Sequence, residues 1–358
     1  MTTPYIYDIA LSVLCRTKLR KNLALLEKYG TAEEAWRHLD EPEMKEAMQR
    51  AQREAEWIEQ HGIHVWTLAD DDYPYRLRQC PDRPVVLYGK GNLHPSDGHM
   101  VSIVGTRRPT ERGKDLTRNL VRDLRDRLDN VSIISGGAYG IDITAHRAAL
   151  EFDVPTIIIP AHGLDRIYPI QHRPEAVRAL QNGGLLTEHM SGVEPIAPFF
   201  VQRNRIIAGL SDAVVVAESK EKGGSLITAQ MALDYDRELF AFPGRPTDEI
   251  SSGCNSLIRR QAAHLIDNAD ELIEVMNWNT KSTKSEAQQT RVVEFLGDLT
   301  ERQQMLMRKL QEAEDGMHIN LIVMETQLSY SDVASELVLL EIQGLVKSLP
   351  GGIYRIVT

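Results

Sequence analysis

At 358 residues the chain exceeds one ordinary compact domain of roughly 100–200 residues, so two or three domains are expected. A hydrophobic share of 42% and a charged share of 26% are average globular usage and exclude a collagenous, mucin-like or mainly disordered polymer. The formal net charge of −10 is spread evenly: residues 1–100, 101–276 and 277–358 hold 13, 20 and 8 basic residues against 16, 24 and 11 acidic ones, so no segment carries the basic excess that usually flags nucleic-acid binding.

Screening over about 8 Å at physiological salt still allows a local cluster of cations to act. No window approaches the roughly 18 apolar residues that span a bilayer. The first residues lack a basic flank and place Asp8 inside their apolar stretch, unlike a signal peptide. Cys15, Cys80 and Cys254 are too scattered for a disulfide framework or a zinc knuckle. These features predict a cytoplasmic protein with no membrane segment and no metal or other cofactor.

In chain order, residues 1–65 read as a helical domain. Ile9, Val13 and Leu14, then Leu23 and Leu26, then Ala35, Trp36 and Leu39 recur at helical spacing, with Gly30-Thr31 as a stop and restart. A further helix from Met44 to Glu59 ends at Gly62. The stretch WTLADDDYPYRLRQCPDRPVVLYGKGN is expected to be a strap of extended chain over a neighbouring domain. From Met100 the pattern changes to six apolar, β-branched runs: 100–105, 131–135, 155–160, 184–188, 213–218 and 239–243. Runs of this kind are buried on both faces, and their alternation with helical stretches predicts a doubly wound α/β fold with a mainly parallel, Rossmann-like sheet over residues 66–276. Residues 277–297 are polar and read as a linker. In residues 298–358, Thr300 to Gln303 form a capping box, a short helix follows near Asn320–Thr326, another covers Ser331–Gln343, and LVKSLPGGIYRIV alternates as a hairpin. That order describes a winged-helix-like domain.

Ligands of open parallel sheets bind beyond the carboxyl ends of the strands. Four turns there hold the unusual residues: Gly105-Thr106-Arg107-Arg108, Gly136-Gly137-Ala138-Tyr139-Gly140, Phe199-Phe200 with Arg203-Asn204-Arg205 at the start of a helix, and Gly223-Gly224-Ser225. Each has an ordinary structural reading. The glycines supply tight strand-to-helix turns, Ser225 caps a helix, and Arg107-Arg108 is a solvated pair. Taken together they suit a polyanion: helix N-termini and glycines expose backbone amides, while Arg107, Arg203 and Arg205 offer guanidinium forks to successive phosphates. Tyr139 and one of the two phenylalanines, Phe200, are placed to stack bases, and the other is expected to pack in the core.

Catalytic patterns are sparse. The sequence holds no GxxxxGK[ST], HExxH or GxSxG. Asp142 and His146 share a helix face, and a capping aspartate with an interfacial histidine explains them better than an acid–base pair. Asp165 and Tyr168 in GLDRIYP read as loop structure.

The ordered segments IVGTRRPTERG, ISGGAYGIDITAHRAAL, GLDRIYPIQH, FVQRNRIIAGLSDAVVVAE, GGSLITAQMA, FPG and GCNSLIRRQAA closely resemble the DprA (Smf) family of DNA-processing proteins, over about 200 residues. The resemblance implies an extended Rossmann-like domain that coats single-stranded DNA, displaces or cooperates with single-strand-binding protein, loads the RecA recombinase during natural transformation and recombination, and forms a homodimer through that domain. It further implies DNA contact at Arg107, at Gly136 and Gly137, at Arg203, Asn204 and Arg205, and at Gly224 and Ser225. Val201 stands where the family usually has proline, and Gly223 where it usually has serine. The N-terminal helices, read as SAM-like, lack the family's common Gly-x-Gly hairpin, so duplex binding is not expected of them. The helix Ser331–Gln343 carries Asp332, Glu336 and Glu341 without Lys or Arg, which predicts contact with protein rather than with a DNA groove. The competing expectation is an enzyme like the Rossmann-like nucleoside monophosphate phosphoribohydrolases. Gln230 then occupies the position of the catalytic glutamate, where an amide cannot serve as base.

Overall fold

Four helices open the chain: α1 (Ile6–Leu14), α2 (Leu19–Tyr29), α3 (Ala32–Arg37) and α4 (Met44–His61). The Thr31 hydroxyl caps α3 by accepting from Glu34 N at 3.2 Å, and α4 stops where Gly62 turns left-handed. The computed structural model describes residues 4–15, 19–278, 280, 299–311, 313, 316–349 and 352–356. By its contacts the chain divides into two units, Met1–Lys281 and Ser282–Thr358. The opening helices belong to the first unit rather than to a separate one. Ile9, Ala51 and Ile58 share a core with Val86, Tyr88 and Met190 of the sheet side. Buried Glu54 of α4 also accepts from Ser191 N at 2.8 Å and Ser191 Oγ at 2.6 Å. The linker expected at 277–297 lies almost wholly outside the described residues.

The strap expected after residue 65 is more than a cover. It supplies β1 (His64–Thr67), the short α5 (Tyr75–Arg78) and β2 (Val86–Asn92). Both strands join the sheet antiparallel, β1 on β2 and β2 on a later strand. Its anchor is buried Arg76, whose Nε and Nη2 donate to the two carboxylate oxygens of Asp212 at 2.6 and 2.8 Å. Asp212 also accepts from Met100 N at 2.8 Å, so one ion pair pins the strap to the amino end of the sheet.

Beyond the strap the doubly wound pattern holds: β3 (His99–Gly105), α6 (Glu111–Arg127), β4 (Val131–Ser135), α7 (Ile141–Glu151), β5 (Thr156–Ile158), α8 (Arg173–Ala179), β6 (Gly183–Thr187), α9 (Ala197–Gly209), β7 (Ala213–Glu218), α10 (Ser225–Asp234), β8 (Glu238–Ala241), α11 (Ser252–Arg259), β9 (His264–Leu265) and α12 (Ala269–Val275). The strand order is β1-β2-β6-β5-β4-β3-β7-β8-β9, parallel from β6 to β9. Alternate residues of β3 serve opposite layers: Met100 and Val104 pack with Ile206 and Ile207 of α9, whereas Val101 and Ile103 pack with Leu120 and Leu124 of α6. That two-sided burial is why the strand reads as a continuous apolar run. The chain moves outward from β3 through β4, β5 and β6, then returns to β7 on the other side. The reversal opens a crevice at the carboxyl ends of β3 and β7, where ligands of such sheets bind.

The second unit holds α13 (Glu301–Gln311), β10 (Met317–His318), α14 (Ile319–Thr326), α15 (Tyr330–Ile342), β11 (Val346–Leu349) and β12 (Ile353–Ile356). The capping box forms as expected, with Gln303 N donating to Thr300 Oγ1 at 3.3 Å and Thr300 N to Gln303 Oε1 at 3.1 Å. Leu306, Leu310, Ile322, Val333, Leu337 and Leu340 close its core against β11, and the strands form an antiparallel sheet in the order β10-β12-β11. This is a winged helix.

Because Asp212 would be left partly buried without its guanidinium, Arg76→Leu is expected to cost about 3–5 kcal/mol of unfolding free energy. Arg37→Leu, which breaks exposed pairs to Glu33 and Glu34, should cost under about 1 kcal/mol. Urea denaturation of the two variants checks the contrast, and equal midpoints would remove the anchor role of Arg76.

Candidate nucleic-acid interface

The crevice between β3 and β7 is an open cleft of about 980 Å³. Its walls are the turns after those strands, the face of α9 and the start of α10. The turn after β3 is fixed from below by Glu218, which ends β7. The Glu218 carboxylate accepts from Thr110 N and from Thr110 Oγ1, each at 2.7 Å, and its carbonyl accepts from Thr106 N at 2.7 Å. Thr110 in turn caps α6 by accepting from Gly113 N at 3.0 Å. With its ends held, the turn lifts Arg107 into solvent at the cleft wall, its guanidinium carbon 5.8 Å from the Phe200 ring centroid. Arg108 is also exposed but does not line the cleft.

Two glycines have a steric reason to be glycine. Gly140 takes φ +84°, and a Cβ there would sit 2.2 Å from Thr106 O. Its bareness lets the turn after β4 press against the turn after β3, where Ile141 N donates to Thr106 O at 3.1 Å. A Cβ on Gly136 would lie 2.3 Å from Arg203 Nη1. Arg203 therefore occupies the space of the missing side chain. From there Nη1 donates to Gly136 O at 2.6 Å and also to Ile159 O, the carbonyl just past β5.

Arg203 is 4% exposed and forms the cleft floor, with Nε lacking a partner among the described residues. Burial pulls its guanidinium down to about 10, which leaves it cationic at neutral pH. Asp142 is buried beside it. Burial raises the Asp142 carboxyl, and the Arg203 charge and the donated Ala138 N–H pull it back. The floor thus pairs a buried cation with a carboxyl that tempers it. His146 is fully buried with Nδ1 2.8 Å from Thr156 Oγ1, and burial lowers its imidazole to about 3. Asp142 braces the turn before α7 through Ala138 N rather than capping the helix, and His146 is enclosed against Thr156.

The sequence places Arg203-Asn204-Arg205 at a helix start, with both arginines offered to successive phosphates of one polyanion. The structure corrects this. Helix α9 begins at Ala197, so the three residues lie midway along it. Residues two apart on a helix point about 200° apart. Arg203 and Asn204 line the cleft, while Arg205 turns away, ion-paired with Glu188 and donating from Nη1 to Asp82 O at 2.6 Å. Arg205 is 4% exposed and locks α9 to the strap and the end of β6. It offers no fork to the cleft.

Gly105, Thr106, Gly223, Gly224 and Ser225 all line the cleft. Helices α7 and α10 start there at Gly140 and Gly224 with no side chain capping either. Ser225 is buried and donates to Ser219 Oγ at 2.8 Å rather than capping its helix. Gly137 lies behind the cleft, its carbonyl 2.8 Å from His172 Nδ1. Phe199 packs into the core beside His189, whereas Phe200 faces the cleft, so the division of the two rings follows expectation. Tyr139 is 45% exposed, but its hydroxyl donates to Gln171 Oε1 at 2.8 Å and its ring abuts His172.

Sequence reasoning read Tyr168 only as loop structure and passed over Lys220 and Lys222. Tyr168 is 53% exposed, with its ring centroid 5.9 Å from that of Phe200. Lys220 and Lys222 line the cleft, and Lys220 Nζ pairs with Glu249 at 2.9 Å. Their position just ahead of Gly223-Gly224 was the available signal, masked by the intervening Glu221. Gln230, the residue at the phosphoribohydrolase glutamate position, is exposed, donates to Asp234 at 2.9 Å and is not a lining residue.

Comparison with known proteins accords with this architecture. The family described as DNA recombination-mediator protein A matches residues 64–277, and the DprA winged helix domain matches residues 280–352. Protein Smf of Synechocystis is 34% identical over 333 residues, covering 84% of this chain and 82% of that protein. DNA processing protein DprA of Bacillus subtilis is 38% identical over 216 residues, covering 60% and 72%. The X-ray structure of DNA processing protein A from Streptococcus pneumoniae superposes with a TM-score of 0.66 at 30% identity, over 76% of this chain and 98% of that one. DNA processing protein A from Helicobacter pylori, described for its single-stranded DNA binding mode, gives a TM-score of 0.54 at 33% identity over 60% and 96%. With a family match across most of the sheet unit and a second on the winged helix, the chain belongs to the DprA/Smf family of DNA-processing recombination mediators.

Proposed function

We propose that the cleft binds single-stranded DNA without reading its sequence, and that this binding is how the chain mediates recombination. The observation that carries the reading is the gathering of cations and ring faces at one rim. Arg107 and Lys222 stand exposed, Arg203 lies beneath them, and Phe200 and Tyr168 lie beside them. An unpaired strand presents phosphates and open base faces together, and the rim offers a partner for each. A duplex hides its base faces and gains less there. The Helicobacter pylori relative, described by its single-stranded DNA binding mode, supports the same ligand for this chain.

On this reading the chain is a binding protein rather than an enzyme. It protects the incoming strand, passes it to the RecA recombinase, and displaces or cooperates with single-strand-binding protein, acting in the cytoplasm as a homodimer through the Rossmann-like unit. Family membership supports these partners. The strand contacts are assigned to Thr106, Arg107, Phe200, Asn204, Lys222 and the amides around Gly224, with Arg203 supplying potential from the floor. Helix α15 has no Lys or Arg and leaves Val338, Leu339 and Ile342 exposed, which favours a protein contact for the winged helix.

Fluorescence polarization with oligo-dT across a salt series tests the site. Arg107→Ala and Lys222→Ala should each weaken binding and flatten the log–log salt slope by about 0.7, the signature of one lost phosphate contact on a single strand. Phe200→Ala should cost about 1–3 kcal/mol of binding with the slope intact, as lost stacking does. Unaltered slopes in both cation variants would place the strand elsewhere on the molecule.

Arg205→Met separates structure from contact. It leaves Glu188 buried without its cation and should lower unfolding free energy by about 3 kcal/mol, while the salt slope stays that of the parent. A flattened slope would return Arg205 to the list of phosphate ligands.

A further inference from the structure

A second concavity lies on the same unit and shares no lining residue with the cleft. It is a groove of about 960 Å³ between α8 and the loop 164–170, bordered by the end of β2. Ile167, Ile170, Val177 and Leu180 form an aliphatic floor, and Ile170 and Val177 are 61% and 51% exposed. Exposed aliphatic side chains gathered in a concave surface mark an interaction site more often than a solvated face.

The rim is cationic. Lys90, Arg166 and Arg173 border the groove against a single carboxylate, Asp165. Arg166 is already engaged, with Nη2 3.0 Å from Asp165 and Nη1 3.2 Å from Glu194. Among the described residues, neither Lys90 nor Arg173 pairs with a carboxylate. In a chain of net charge −10, two cations left unpaired around an apolar floor are a local exception to the surrounding field.

We propose that this groove docks an acidic peptide segment of a partner protein, its carboxylates on Lys90 and Arg173 and an apolar side chain seated between Ile170 and Val177. The charge complement selects acid, since a basic or neutral segment would leave both cations unpaired. The floor selects peptide over nucleic acid. Strand-binding surfaces use aromatic rings, whereas this floor is aliphatic; of the exposed rings nearby, Tyr168 leans toward Phe200 on the cleft side and Tyr139 is tied to Gln171 and His172. The remaining acidic surface of the chain repels such a segment, so capture is confined to the groove and weakens as salt rises. The proposal stands apart from the strand-binding reading of the cleft.

The test uses the full chain and a fluorescein-labelled peptide, Asp-Glu-Asp-Asp-Leu-Pro-Phe, read by polarization beside labelled oligo-dT. Saturable peptide binding is expected, reduced about tenfold or more by Lys90→Glu with Arg173→Glu, and similarly by Val177→Asp at its exposed position. Replacing the peptide's Leu and Phe by Ala should remove binding, and oligo-dT affinity should stay within about twofold for every groove variant. The proposal is overturned if the peptide does not bind or if binding ignores these substitutions. It is equally overturned if the groove variants weaken oligo-dT as Arg107→Ala does, for then the groove is a continuation of the strand path. Loss of oligo-dT binding by Arg107→Ala with peptide binding retained would confirm that the two sites stand independently.

Discussion

A single buried guanidinium organises the edge where the chemistry collects. Arg203 reaches from α9 to carbonyls beyond β4 and β5, across the space left by the absent side chain of Gly136. A cation in that position loses most of its hydration, and the fold compensates with carbonyl dipoles and the neighbouring Asp142. The arrangement joins three connections of the sheet into one rim. It also leaves positive potential under a surface that is otherwise backbone, ring and solvent.

The proposed strand site reconciles an acidic protein with an acidic ligand. Electrostatic attraction over a few ångströms outweighs repulsion from charges beyond a screening length. Arg107 projects from a turn braced by Glu218 and by the contact at Gly140, and Lys222 from a turn held by Glu221 N donating to Ser252 Oγ at 3.0 Å, so their placement rests on rigid elements. Many other arginines of the unit are spent on structure. Arg76 holds the strap, Arg205 holds α9, and Arg118 and Arg127 pair with Glu151 and Asp270 on the helical layer. Gross charge is therefore a poor guide to this molecule, and the unpaired cations are the informative ones.

The same distinction separates the cleft from the groove beside α8. The cleft combines cations with aromatic rings, and the groove beside α8 combines them with aliphatic side chains. Rings suit base faces, and branched aliphatics suit peptide side chains.

The doubly wound sheet and the winged helix were legible in the sequence because two-sided burial writes itself as apolar runs, and helix caps write themselves as Thr300-x-x-Gln303. The glycine-bearing turns were legible for the same local reason. Three things waited for the tertiary structure. The strap's two strands are separated by a proline-bearing stretch and lack the alternation with helices seen elsewhere, and they pair into the sheet because β6 offers an open edge to β2. The opposite directions of Arg203 and Arg205 depend on α9 beginning at Ala197, six residues before the first arginine, which no local cap announces. Whether a given cation is free or paired depends on partners tens of residues away, as with Arg76 and Asp212. Periodicity and capping are local properties of a chain, whereas the occupancy of a charge is decided by contacts that form only when distant segments meet.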